Sequence, residues 1–312
     1  MAQSGSMGFH DLPGWLPEFC REQLGSEPAE LLFEARSISV VFGLRLTGGA
    51  EVVVKVRTAD PRIAACVAAQ TALAEAGFPC PRPLTEAIEV GWLMVHAEAH
   101  WPGGELLRGD APAVAVRYAE VFAALMDGLR DVDVAPPLPN PRWSRWDHTD
   151  SGVWPAIGFL DKRDQRVVTE HVLDIAVRVR RRLLASTLPP VLGHADFEAQ
   201  NLRWRDGELW VVHDWDSLAW QPEAALAGAA SAAFANAGPP SLAPIDSSAA
   251  FLETYQRRRG RAFTAEELEV AWAASLWTAA HNARWELLHG SVPLSGIALL
   301  DQAAERLRRA NA

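Results

Sequence analysis

The stretch that decides the fold is Pro189–Asp216, PPVLGHADFEAQNLRWRDGELWVVHDWD. Inside it two short apolar runs, Asn201–Trp204 and Glu208–His213, flank Asp206-Gly207, a dipeptide suited to the positive φ values of a tight hairpin turn. Polar and acidic residues stand at both outer ends of the hairpin. Carboxylate and carboxamide oxygens presented there are the hard donors that a magnesium or calcium ion prefers.

Outward from this hairpin the chain reads as helix. Apolar residues recur at helical spacing over Ala111–Leu129 and Arg166–Ser186, and Thr264 with Glu267 forms a capping box ahead of a helix reaching to about His289. A Trp- and Pro-rich stretch, Pro136–Pro155, lies between the first two. Upstream the period changes to two. Arg36–Thr47 and Glu51–Arg57 are β-branched runs around Gly48-Gly49, an antiparallel pair. A helix follows, with Asp60 as N-cap, Pro61 in its first turn and Gly77 as the left-handed exit. FPCPRPL is then a connector and EVGWLMV a further strand. The run HAEAHWPGGE, His96–Glu105, breaks the pattern as a hinge does. The expected fold is therefore α+β and bilobal. A small antiparallel β-rich lobe spans 1–96, with 1–8 a disordered Gly/Ser leader, and a larger helical lobe spans 97–312.

A net charge of −10 opposes binding to nucleic acid or an anionic membrane, since both rely on a basic surface. Cys20, Cys66 and Cys80 are widely spaced and form no zinc pattern, consistent with reduced thiols in a cytoplasmic protein. No feature calls for an obligatory protein partner.

The chemistry follows from spacing. Phosphoryl transfer needs a carboxylate to orient the acceptor hydroxyl and oxygen ligands for magnesium. His194-x-Asp196 followed by Asn201 has the H-x-D-x-x-x-x-N spacing of kinase catalytic loops, and Asp214 opens the next loop. GHADFEAQN with HDWD resembles the aminoglycoside phosphotransferase and choline-kinase-like branch of the protein-kinase fold. The resemblance implies Asp196 as catalytic aspartate, Asn201 and Asp214 as magnesium ligands assisted by Asp216, and His194 as structural support. Ala195 replaces the usual Gly, and the run SLAWQPEAALAG lacks the further aspartate that usually follows the D-W-D.

The resemblance also requires a phosphate-binding lysine, and Lys55 in VVVKV is the only lysine of the first lobe. Alternation alone would leave Lys55 solvated. Its expected helix partner is Gln70 where such kinases carry a glutamate. Ser37 and Ser39 stand in the phosphate-covering loop, and backbone between His96 and Ala99, around Glu98, is expected to meet the base of ATP or GTP. The acceptor is a small molecule bearing a hydroxyl, an antibiotic such as an aminoglycoside or a metabolite. Trp277, His281, Arg284 and Trp285 are candidates to contact it, since they sit at three- and four-residue spacing. Core packing is the bland alternative for these tryptophans and for His213, and a solvated helix end is the one for Arg178, Arg180, Arg181 and Arg182. Two rival functions stand beside the kinase: a metal-dependent phosphoesterase using His194, Asp196, His213, Asp214 and Asp216, and an inactive kinase-like binding protein.

Overall fold

The computed structural model describes residues 12–36, 39–235 and 242–312, so the leader 1–8 and Ser37 lie outside the described residues. The chain divides into two compact units. One holds the described residues up to Gly103 together with Val134–Pro137, and the other holds Gly104–Asp133 with Leu138–Ala312.

In the first unit helix α1 (Leu16–Leu24) precedes strands β1 (Pro28–Arg36), β2 (Val40–Leu46) and β3 (Glu51–Thr58). Helix α2 (Arg62–Glu75) and strands β4 (Ile88–Val90) and β5 (Leu93–Ala99) follow. The antiparallel sheet has the order β1-β2-β3-β5-β4. The expected lobe boundary at 96–97 falls inside β5, which runs on to Ala99 before the units part. EVGWLMV is two strands, not one. Gly91, at φ 62°, turns the chain so that Val90 pairs with Leu93. The start of α2 lies slightly later than expected: the Asp60 carboxylate accepts the Arg62 backbone N–H at 3.1 Å, and Pro61 occupies the capping position.

Strand β3 lies between two neighbours and is covered on both faces. Val52, Val54 and Val56 join Leu16, Phe19 and Cys20 of α1 with Leu44, Val95 and Ala97 in one core. By alternation Val53, Lys55 and Arg57 face the other way. On that side Ile63 and Val67 of α2 pack with Met94. Lys55 is accordingly only 8% exposed, against the solvated position that alternation suggested, because a central strand has no solvent face.

The second unit begins with α3 (Pro112–Leu129), a short α4 (Gly158–Asp161) and α5 (Glu170–Leu184). Strands β6 (Pro190–His194), β7 (Leu202–Arg205), β8 (Glu208–Val212) and β9 (Leu218–Pro222) come next. Helices α6 (Glu223–Ala233), α7 (Ile245–Arg259), α8 (Ala265–His289) and α9 (Leu294–Ala310) complete it. Helix α8 is the axis of this unit, packed on α5, α6 and α9. Its N-terminus carries the full Thr264–Glu267 capping box. Gly228 of α6 lets that helix close on α8, since a Cβ there would stand 2.0 Å from the Ala271 carbonyl oxygen. Strands β7 and β8 form the expected hairpin through Asp206-Gly207, while β6 pairs with β9.

Of the α5 arginines expected to form a solvated helix end, Arg181 is exposed as expected, but Arg178, Arg180 and Arg182 make tertiary contacts. Arg180 donates to the carbonyls of Trp146 and His148, Arg182 pairs with Glu269 at 2.7 Å, and Arg178 reaches the Ala312 carbonyl. The basic run thus ties the 138–157 insert and the last helices to α5. All three cysteines are free and buried, and burial pushes the Cys20 thiol up to about 11 and the Cys80 thiol up to about 12. No helix among the described residues is long and apolar enough to cross a membrane.

Candidate active site

The ladder between β6 and β9 ends at the pair His194↔Leu218, and the chain leaves it directly into the motif. His194 is 1% exposed and lies edge-on to Trp215 and Phe197. Its Nδ1 accepts the Asp196 backbone N–H at 3.3 Å, and its Nε2 meets the His213 carbonyl at 3.4 Å. Accepting at one nitrogen and donating at the other requires the neutral tautomer protonated at Nε2. His194 therefore joins the Asp196 loop to the Asp214 loop through both ring nitrogens.

Asn201 makes the second tie. Its carboxamide donates to the Asp196 carbonyl at 2.9 Å and to the Asp196 carboxylate at 3.4 Å, while the Asn201 backbone carbonyl accepts the His213 N–H at 2.7 Å. Asp214 sits at φ 63°, a left-handed conformation that redirects the chain between β8 and a 3-10 turn at Trp215–Ser217. The Ser217 hydroxyl donates to the Asp214 carboxylate at 2.9 Å, and the Ser217 carbonyl accepts the Ala195 N–H at 2.8 Å. Where an additional aspartate usually follows the D-W-D, Ser217 does the anchoring. Ala195, 7% exposed, fits without displacing these bonds.

Three carboxylates crowd Asp196. Loss of hydration, then the charge of Glu198 and that of Asp214, with a smaller contribution from Asp216, hold its carboxyl well above the usual aspartate range, and Asn201 offsets only part of this. Glu198 is 7% exposed and went unnoticed in the sequence; its position inside the motif loop was the available signal. A site of this kind suits a divalent cation. Asn201 and Asp214 offer hard oxygens, and among the described residues no group of three or more His, Cys, Asp or Glu forms a cage. Magnesium commonly needs only one or two carboxylates, its remaining positions going to water and phosphate oxygens.

In the first unit Lys55 Nζ lies 3.1 Å from Glu98 Oε1, with both side chains under 10% exposed. Gln70 donates to the other Glu98 oxygen at 2.9 Å and to the Pro81 carbonyl at 2.7 Å. The expected Lys55–Gln70 bond is thus corrected: the carboxylate partner sits on β5, and the helix residue braces it. The role expected of Glu98 changes with it. Backbone around Glu98 was expected to meet a nucleotide base, but the Ala97 N–H already donates to the Thr85 hydroxyl and the Ala99 N–H to the Arg82 carbonyl. Ser39 stands half-buried immediately before β2.

The four acceptor candidates on α8 separate into two groups. Trp277, His281 and Arg284 gather around Trp154 of the insert, whereas Trp285, 37% exposed, stacks on His289 and meets Phe159 edge-on. His213 is half-buried just past the end of β8.

A sequence profile of the phosphotransferase enzyme family matches residues 39–268. No curated protein matches the chain in sequence. Among solved structures, amicoumacin kinase in complex with AMP-PNP, calcium and Ami superposes with a TM-score of 0.60 at 12% identity, over 90% of this chain and 88% of that one. Spectinomycin phosphotransferase in complex with ADP and spectinomycin gives 0.53 at 10%, over 95% and 92%. An aminoglycoside phosphotransferase from Alicyclobacillus acidocaldarius gives 0.51 at 13%, over 93% and 92%. At these identities the likeness establishes the fold.

Proposed function

The chain belongs to the phosphotransferase enzyme family, and from that premise we propose that it transfers the terminal phosphoryl group of ATP or GTP, with magnesium, to a hydroxyl of a small molecule in the cytoplasm. The observation that carries this reading is the knot of hydrogen bonds that holds Asp196, Asn201 and Asp214 in two joined loops.

In this reading Asp196 orients the acceptor hydroxyl and takes its proton as the oxygen attacks. Asn201 holds the Asp196 carboxylate in place and, with Asp214, would hold the cation; Asp216 adds charge nearby. The cation would supply charge neutralisation on the phosphates. Lys55, fixed by Glu98, would bind phosphate oxygens as a point charge. Ser39 would cover them. Because the transition state is loose, positioning and charge stabilisation do most of the catalytic work.

The inactive-kinase alternative drew on the missing helix glutamate. Glu98 supplies that carboxylate from β5, which favours a working lysine site.

The test is calorimetry of ATP and GTP binding with and without magnesium, on the wild type and on Asp214→Asn. We expect magnesium-dependent binding that the substitution weakens by about tenfold or more. Binding indifferent to magnesium and to Asp214 would overturn the assignment.

A further inference from the structure

Helix α8 places Trp277, His281 and Arg284 on one face at i, i+4 and i+7. Trp154 meets all three: its ring centroid lies 5.4 Å from Trp277, 6.2 Å from His281 and 5.3 Å from the Arg284 guanidinium carbon. Every member of this cluster has a buried polar atom without a hydrogen-bond partner. These are Trp154 Nε1, Trp277 Nε1, His281 Nδ1, and Arg284 Nε and Nη1. Buried polar groups are nearly always paired, so such a concentration in one place marks where something else binds.

The inventory has a sign. Indole and guanidinium nitrogens only donate. Burial, and then the charge of Arg284, push His281 down to about 4, so its ring is neutral near pH 7 and adds no charge. Arg284 is 2% exposed and is held through Nη2 alone, by Asp161 at 3.2 Å and Gln165 at 3.0 Å, with the Asp161 side chain 41% exposed. Of the five unpaired atoms four can therefore only donate, the His281 ring nitrogen being the exception, and the Asp161 carboxylate beside them engages only Nη2 of Arg284. An ammonium-rich ligand would set donors against donors.

The insert that carries Trp154 is also tied to the catalytic strands. Asn140 Oδ1 accepts the Trp220 N–H at 2.7 Å, and Gln221 donates to the Ser144 carbonyl at 3.2 Å. Trp220 pairs across the ladder with Leu192, just upstream of His194 and Asp196. One segment thus runs from the strand pair that bears the motif to the donor cluster on α8.

We infer that Trp154, Trp277, His281 and Arg284 form the subsite that recognises the acceptor, and that they select a hydroxyl compound carrying a carboxylate, not a polyamine. This rests on the phosphotransferase reading for its role, but the chemistry of the cluster stands apart from it.

The experiment compares matched probes on the full chain with magnesium and AMP-PNP, read by tryptophan emission and by calorimetry. The probes are 3-(4-hydroxyphenyl)propionate against tyramine, 4-hydroxybutyrate against 4-amino-1-butanol, and kanamycin as the polyamine. At least one carboxylate should bind about tenfold or more tighter than its amine partner, the scale of a hydrogen bond to a charged group. Arg284→Gln should erase that preference, with AMP-PNP affinity as the control for folding. Should that variant not fold, Trp154→Phe, at a half-buried position, should weaken the carboxylate and leave the amine unchanged. Tighter binding of an amine or kanamycin, a preference that survives both substitutions, or no binding of any probe at millimolar concentration would overturn the inference, the last pointing to a buried structural water. Failure of the phosphotransferase reading looks different: AMP-PNP binding would ignore Asp214→Asn while the carboxylate preference persisted.

Discussion

The lysine site of the first unit and the aspartate loop of the second both bury charge, and they treat it in opposite ways. Lys55 meets Glu98, and Gln70 occupies the other oxygen of that carboxylate, so positive and negative charge balance within one hydrogen-bonded set. Asp196 has Glu198, Asp214 and Asp216 around it and only Asn201 as relief. In one site opposite charges already meet. The other gathers like charges that a cation would reconcile, and such frustration is tolerated where function requires it.

The sharpest way to break this contrast is Asp196→Asn, which keeps the shape and removes the charge. Transfer measured by ADP release should fall by about 10³-fold, within the range for removal of a positioned base. Thermal stability should hold or rise, because the substitution relieves repulsion. A stability loss of several degrees with transfer intact would mean that the loop is as well compensated as the lysine site.

The lysine site predicts the reverse pattern. Glu98→Gln removes a buried partner from Lys55 and should cost about 3 kcal/mol in urea unfolding. Gln70→Glu should also destabilise, by setting a second carboxylate against Glu98. Combined, the two substitutions move the carboxylate from β5 to α2 and should recover about 1–2 kcal/mol relative to the sum of the single changes. Strict additivity would show that the three side chains do not share one charge balance.

These two sites also differ in how legible they are in the sequence. His194, Asp196, Asn201 and Asp214 could be placed from spacing because their bonds stay within one hairpin and its flanks. The Thr264–Glu267 box was legible for the same reason, being a contact within a single helical turn. Glu98 was not, since its meeting with Lys55 depends on the register of β3 against β5, which no local pattern states. Sheet register likewise hid the β6–β9 pairing, and the Gly91-Trp92 turn lacks the Asn-Gly or Asp-Gly signal that betrayed the Asp206-Gly207 hairpin. Arg180 and Arg182 looked solvated because their partners, two carbonyls of the insert and Glu269, lie far away in the chain. The donor cluster on α8 was half visible: helical spacing brought out Trp277, His281 and Arg284, and the Trp-rich insert offered Trp154 beside Trp143 and Trp146, but only tertiary packing shows that Trp154 is the one that meets Trp277.

The smallest predicted effect tests the electrostatic claim itself. The folded state holds the Asp196 proton more tightly than the unfolded chain does, because its carboxyl is raised. The associated stability is fully present below the ordinary aspartate value near pH 4 and is lost as pH rises through the raised value. Without magnesium, the wild type should therefore lose stability relative to Asp196→Asn as pH increases from about 4, by on the order of 1 kcal/mol for each unit that the carboxyl is displaced. Comparing the two proteins cancels the titration of every distant group. Magnesium should shrink the difference at the alkaline end, since a cation held by Asn201 and Asp214 stabilises the ionised carboxylate. If the difference instead grew in acid, Asp196 would be stabilised as a carboxylate in the empty protein, and the loop would resemble the Lys55–Glu98 pair in having its charge balanced before any ligand binds.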